Sequence, residues 1–227
     1  MALILHLETA TTVCSVALAN EGKLLASKEE NKGFTHAEHL TIFIQEVMQQ
    51  AGKSLHELDA VAVSKGPGSY TGLRIGVATA KGLCYGLNKP LLSVNTLAAL
   101  AKGASLKHSS IHMFCPMLDA RRMEVYAAVF DGSLQVIKPT EAVILTSDSY
   151  AALLEQNEIL FFGDGAHKFQ ELTRHANAKF DPEILPGAIN MIELAYGSFL
   201  TKSFEDVAYF EPFYLKEFYS PASKVKE

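Results

Sequence analysis

Tryptophan is absent and cysteine is scarce, with Cys14, Cys84 and Cys115 standing far apart in 227 residues. An odd count and no Cys-x-x-Cys spacing exclude a disulfide framework and imply reduced thiols, as in the cytoplasm. No apolar run reaches the ~18–20 residues that span a bilayer, and the apolar start is broken by His6 and Glu8, so neither a membrane helix nor a signal peptide is expected. Positive charge is short as well. The chain has 20 basic residues against 25 acidic ones, and the net charge of -5 disfavours unaided binding to a nucleic-acid backbone. Arg121-Arg122 is the only adjacent arginine pair, and the flanking Asp119 and Glu124 are expected to neutralise it locally. Any involvement of RNA would then take its positive charge mostly from another molecule.

Hydrophobic residues make up 48% of the chain, enough for one large core or two modest lobes. The densest signal runs from Lys65 to Leu83. Residues 60–64, Ala-Val-Ala-Val-Ser, read as a strand buried on both faces. Gly66, Pro67 and Gly68 then turn sharply, and Ser69 caps a helix that begins near Tyr70. A Walker loop is ruled out by the missing Gly-Lys-Ser/Thr ending, and a dinucleotide fingerprint by Thr71 where its third glycine belongs. Such a turn either aims free N–H groups at an anion or a partner, or is a tight connection with no ligand.

The helix carries two rows of small residues, Gly72, Gly76 and Ala80 on one face and Ala78, Gly82 and Gly86 on another. Each interior glycine costs about 0.8–1 kcal/mol relative to alanine, so close packing has to compensate. One row suits the chain's own sheet. The other, with Leu73, Val77 and the stem of Lys81 nearby, suits a second helix or a second subunit; the plainer alternative buries both rows in the internal core.

The same plan appears twice. Strands are expected at 3–7, 14–19 and 24–29, then a helix from Thr35 to Gly52, a strand at 60–64, a helix at 70–87, a strand at 90–94 and a helix at 96–102. Thr35-His36-Ala37-Glu38 reads as a capping box, and Leu40, Phe43, Ile44, Val47 and Met48 as the apolar stripe behind it. The second set has strands at 111–118, 124–130 and 134–137, a helix at 147–156, a strand at 159–162, a helix opened by Gly163-Asp164-Gly165-Ala166, a helix at 188–200 and an aromatic extended tail at 204–218. The pattern predicts two α/β lobes with mixed sheets and a cleft between them, divided as residues 1–104 and 105–227, with the tail returning towards the first lobe.

That duplicated βββαβαβα plan resembles the actin, sugar-kinase and heat-shock ATPase (ASKHA) superfamily. Five motifs, in order along nearly the whole chain, resemble the TsaB family: residues 4–11, residues 66–76 with Gly66-Pro67-Gly68-Ser69-Tyr70-Thr71-Gly72, Asp119-Ala120-Arg121-Arg122-Met123-Glu124-Val125-Tyr126, Gly163-Asp164-Gly165-Ala166 and Glu211-Pro212-Phe213-Tyr214-Leu215. The glycine-rich motif alone would also fit the larger paralogue TsaD. The resemblance implies a cytoplasmic, non-catalytic subunit of the machinery that places threonylcarbamoyl on N6 of adenosine 37 in tRNA. It further implies binding to catalytic TsaD, work alongside the ATPase TsaE, self-pairing when TsaD is absent, and contact with tRNA only through the complex. The dimer face would be built from the first two helices, with Leu40, Phe43, Val47, Leu73, Gly76, Val77, Ala80, Lys81 and Cys84 as candidate contacts.

No catalytic residue is expected. TsaD-like sequences carry a metal-holding His-x-x-x-His pair after the strand at 90–94, and here Thr96 and Leu100 stand in those places. His36 and His39 could converge on an ion at helical spacing, but no third ligand is apparent, so no metal is expected. Glu8 and Asp119 fall where the superfamily's paired acids face the cleft, and Gly163 and Gly165 where its adenosine loop would lie. Arg121-Arg122 in place of a glycine-threonine cradle obstructs a phosphate, so no cofactor is expected, with a nucleotide at the TsaD junction left as an alternative. The rival readings are a glycoprotease-type metallopeptidase, a small-molecule kinase of the same fold and a purely self-associating protein.

Overall fold

A computed structural model describes residues 2–33 and 36–216. Strands β1 (Leu3–Glu8), β2 (Cys14–Asn20) and β3 (Lys23–Glu30) form an antiparallel meander, after which α1 (His36–Gln50) crosses to β4 (Ala60–Gly66), parallel to β1. Helix α2 (Tyr70–Leu87) leads to β5 (Leu91–Asn95), parallel to β4. Beyond α3 (Thr96–Lys107) the plan repeats: the meander β6 (Met113–Asp119), β7 (Glu124–Asp131) and β8 (Val136–Ile144), then α4 (Ala151–Leu154), β9 (Ile159–Phe162), α5 (Ala166–Leu172) and β10 (Ala178–Asp181). A 3-10 turn at Ala188–Met191 and α6 (Ile192–Leu200) follow. Read from the meander side, the sheets run β3-β2-β1-β4-β5 and β8-β7-β6-β9-β10, so the duplicated two-lobed α/β fold holds strand for strand.

Strand β1 shows why the first sheet needs cover on both faces: every one of its side chains is buried. Leu3, Leu5 and Leu7 join Leu40, Phe43, Val47, Val61, Val63, Val77 and Cys84 in the core beneath α1 and α2. Ile4, with Ala60, Ala62, Leu92 and Val94, packs on the opposite face against Met191 and Ala195. The cover on that second face is therefore supplied from the far end of the chain. Helix α3 sits between the sheets, sending Leu97, Leu100 and Ala104 into the second core with Phe114, Leu118 and Phe162, and Ala99 towards the first.

Several expected boundaries differ. The strand expected at 134–137 runs instead from Val136 to Ile144, because an edge strand tolerates Pro139 and exposes both faces, which erases the apolar alternation. The helix expected at 147–156 shrinks to four residues at Ala151–Leu154, and the one at 188–200 starts as a 3-10 turn. Strand β10 was not expected; its four residues pair as an edge beside β9. The capping-box position Thr35 and the tail end at Phe218 lie outside the described residues.

Candidate functional site

The chain enters α2 through a turn that leaves no room for side chains. Gly66 has φ +109°, and Ser69 accepts from the Gly72 amide at 3.3 Å as the helix cap. The first row of small residues then meets the β1–β2 turn. A Cβ on Gly68 would lie 2.3 Å from the Ala10 carbonyl oxygen, one on Gly72 2.1 Å from that of Thr9, and one on Gly76 2.3 Å from Thr9 Oγ1. Hydrogen bonds close the seam, since Thr9 Oγ1 donates to the Gly72 carbonyl at 2.8 Å and the Ser69 amide to the Ala10 carbonyl at 2.6 Å. The same turn anchors α1, where His36 Nε2 lies 2.7 Å from the Thr11 carbonyl oxygen. Both helices are thus seated on residues 9–11.

The second row faces outward. Ala78, Gly82 and Gly86 are exposed, and a Cβ at either glycine would meet nothing within 4 Å. Tyr85, between them in sequence, is 86% exposed, and the neighbouring α1 leaves Ile42 47% exposed. The sequence-derived contact set needs correction here. Leu40, Phe43, Val47, Leu73, Gly76, Val77, Ala80 and Cys84 are buried inside the chain itself, because the apolar stripes of both helices turn towards the sheet. Lys81 is partly exposed, and its Nζ donates to the carbonyls of Ala208 and Phe210, both at 3.0 Å, holding the returning segment against α2.

Of the four cleft candidates, Asp119, Gly163 and Gly165 meet at the end of β6, whereas Glu8 is enclosed at the end of β1. Glu8 is fully buried, and burial pushes its carboxyl up to about 7 against the hydrogen bonds to Oε1 from Ser64 Oγ and the Ala10 amide, both 2.7 Å. Glu8 therefore closes the β1–β2 turn and does not face an open cleft, a second correction. Asp119 lies at the end of β6, exposed; burial would raise its carboxyl, but Lys168 and the Arg121 amide outweigh this and hold it below the usual range. Gly163 and Gly165 pack on β6, with the Gly165 amide donating to the Met117 carbonyl at 3.0 Å and a Gly163 Cβ only 2.4 Å from that oxygen. None of the four lines the cavity of about 750 Å³ where Lys65, Asn95, Thr140, Glu205, Tyr209 and Phe213 meet.

The histidine pair also separates. His36 is spent on the Thr11 carbonyl, whereas His39 Nδ1 pairs with Glu30 Oε2 at 2.8 Å. Thr96 and Leu100 are wholly buried at the start of α3.

The arginine pair overturns its expected neutralisation. Lys168 Nζ donates to Asp119 Oδ1 at 2.7 Å and to the Glu124 carbonyl at 3.0 Å, and Lys216 pairs with Glu124 Oε2. Both flanking acids are taken by distant lysines. Sequence reasoning also missed the contact of Tyr70 with Tyr214, ring centroids 4.9 Å apart, and Arg74 lying 5.3 Å over the Tyr70 ring. The aromatic tail was a visible signal, but nothing in it named its partner on α2.

Comparison with known proteins gives these features a setting. A family model described as TsaD, tRNA N6-adenosine threonylcarbamoyltransferase, matches residues 30–216. The tRNA threonylcarbamoyladenosine biosynthesis protein TsaB of Escherichia coli is 32% identical over 219 residues, 94% of each chain. A crystal structure from Pseudomonas aeruginosa, of an uncharacterized protein with similarity to peptidase YeaZ, superposes with a TM-score of 0.84 at 28% identity, covering 95% of this chain and 100% of that one. The activator of 2-hydroxyisocaproyl-CoA dehydratase from Clostridium difficile, at TM-score 0.51 and 11% identity over 90% of this chain and 98% of that one, shares the fold.

Proposed function

The chain belongs to the TsaB family of tRNA threonylcarbamoyladenosine biosynthesis proteins, and from that membership we propose that it is the non-catalytic subunit of a threonylcarbamoyl-transferring complex, binding the TsaD catalytic subunit through the outward face of α1 and α2. One observation carries the reading: the row Ala78, Gly82, Gly86 is left uncovered in a helix whose other small-residue row is used inside the chain, Gly72 and Gly76 against Thr9 and Ala80 in the first core. Interior glycines on a solvated face cost helix stability without return, whereas against a second helix they permit close backbone approach. The burial of Glu8 and the core positions of Thr96 and Leu100 support a subunit whose chemistry is done by its partner. The match of residues 30–216 to the TsaD family model supports a place in the same tRNA-modifying pathway.

In this reading residues 1–104 form the lobe that carries the partner face and 105–227 the second lobe, with self-pairing through the same face when TsaD is absent. TsaE joins the assembled complex, which works in the cytoplasm and brings most of the tRNA contact. A Gly82→Arg variant tests the face, because a Cβ there meets nothing within 4 Å and the side chain leaves the helix on its exposed side. Co-elution with TsaD should fall by more than about tenfold in affinity while the thermal midpoint stays within a few degrees. Undiminished co-elution of a folded Gly82→Arg chain would remove this surface from the reading.

A further inference from the structure

Around the β6–β7 turn Asp119, Glu124 and Asp164 are already engaged. Asp119 Oδ1 accepts from Lys168 and from the Arg121 amide, Glu124 pairs with Lys216, and Asp164 Oδ1 accepts from the Asp119 amide. Arg121 and Arg122 are exposed, and among the described residues neither guanidinium has an ion pair or hydrogen bond. The turn holds them in place, with the Glu124 amide donating to the Arg121 carbonyl at 3.2 Å. Lys216 ties this turn to the end of the returning segment, and two residues earlier Tyr214 meets Tyr70, which is flanked in turn by exposed Arg74. Cations therefore flank a ring pair along one strip: Arg74, then Tyr70 and Tyr214, then Lys216 held by Glu124, and beyond it Arg121 and Arg122.

Within the tRNA-modifying role proposed above, on which this step rests, we propose that the strip is an RNA contact, the two free guanidinium forks taking backbone phosphates and the half-exposed tyrosine pair offering a stacking surface to a base. Charge complementarity selects the occupant: phosphates match the uncommitted forks, and an acidic peptide would leave the ring pair without a task. A chain of net charge -5 would use such a strip as an auxiliary contact, adding to the RNA affinity of a partner that supplies the rest.

The test uses the assembled pair of this chain with TsaD and unmodified tRNA as the probe. Arg121→Ala with Arg122→Ala should weaken tRNA binding by about tenfold and reduce the slope of log affinity against log salt by about 1 to 2. The Arg121→Lys, Arg122→Lys chain should keep the slope, and Tyr214→Ala should cost about fivefold with the slope unchanged. Unaltered affinity and slope in the double alanine pair would overturn the proposal. So would loss of co-elution with TsaD in that variant with tRNA affinity of the remaining pair intact, which would assign the arginines to the protein contact. Failure of the unsubstituted chain to bind TsaD at all is a separate result, read on the column before RNA is added, and it counts against the partner reading.

Discussion

Thr9 and Gly72 are locked together across the strand–helix seam, the threonine Oγ1 donating to the glycine carbonyl at 2.8 Å while a Cβ on Gly72 would lie 2.1 Å from the Thr9 carbonyl oxygen. Alanine at Gly72 or Gly76 would gain about 0.8–1 kcal/mol of helix propensity but collide with Thr9, where the fixed β1–β2 turn can yield little. We expect a net loss of about 2 kcal/mol for either substitution. Alanine at Gly82 or Gly86 meets no neighbour and should stabilise the chain by up to about 1 kcal/mol. Urea unfolding of the four variants checks the contrast. Equal effects on the two rows would show that the Thr9 seam does not constrain the helix.

Tyr85 separates stability from association in the same helix. With the residue 86% exposed, Tyr85→Ala should change unfolding free energy by no more than about 0.5 kcal/mol. At a partner interface a central tyrosine of this kind is worth about 2 kcal/mol or more, roughly a thirtyfold weakening. Calorimetric titration with TsaD measures this, and an unchanged affinity would place Tyr85 outside the contact.

Two buried groups on β1, His6 and Glu8 on either side of Leu7, give opposed pH responses. Burial pushes Glu8 up to about 7, so between its ordinary value near 4.5 and 7 the folded state binds more protons than the unfolded, and stability falls as pH rises through that window. Burial pushes His6 down to about 4 despite the Ala17 and Ile4 carbonyls, so between 4 and 6.5 the unfolded state binds more protons and stability rises with pH. Each acts at up to about 1.4 kcal/mol per pH unit, and from about 4.5 to 6.5 they nearly cancel. Glu8→Gln should therefore uncover a stability that climbs with pH over that range, and His6→Asn one that falls. Denaturant unfolding at half-unit pH steps provides the check, and parallel profiles for both variants would contradict the assignment.

Legibility in the sequence tracked how many faces of an element are buried. β1, β4 and β9 are covered on both sides, so their continuous apolar runs marked them almost to the residue. β8 and β10 sit at sheet edges, where exposure on both faces of β8 and the four-residue, mostly half-buried run of β10 leave no period-2 signal that a reader would follow. The two small-residue rows of α2 were visible at four-residue spacing. Which row faced inward was not, because the answer lies in Thr9, whose carbonyl and hydroxyl oxygens come from a distant part of the chain. The acids beside Arg121-Arg122 misled for the same reason: Lys168 and Lys216 approach them through the fold, and adjacency in sequence gave no hint of that competition. Side-chain pairing between distant segments is set by packing geometry, which composition and periodicity do not encode.

Lys81 links α2 to the returning segment, and its removal should act there selectively. The Nζ donates to two carbonyls, Ala208 and Phe210, while the Glu205 amide donates to the Leu91 carbonyl at 2.9 Å and the Phe213 amide to that of Lys65 at 2.7 Å, at either end of the same stretch. Val207 and Phe210 also pack on the first core, so the stretch keeps its apolar anchor when the lysine is lost. Lys81→Met preserves the stem and deletes the charge-assisted bonds, at a cost of about 1 kcal/mol because the site is partly open to water. Amide exchange at residues 206–213 should accelerate about fivefold in this variant while the amides of β4 and β5 stay protected, since the sheet gains no freedom from losing the clamp. Exchange that rises equally in β4 and β5 would mean the lysine supports the whole lobe, and the picture of a separately clamped segment would have to be abandoned.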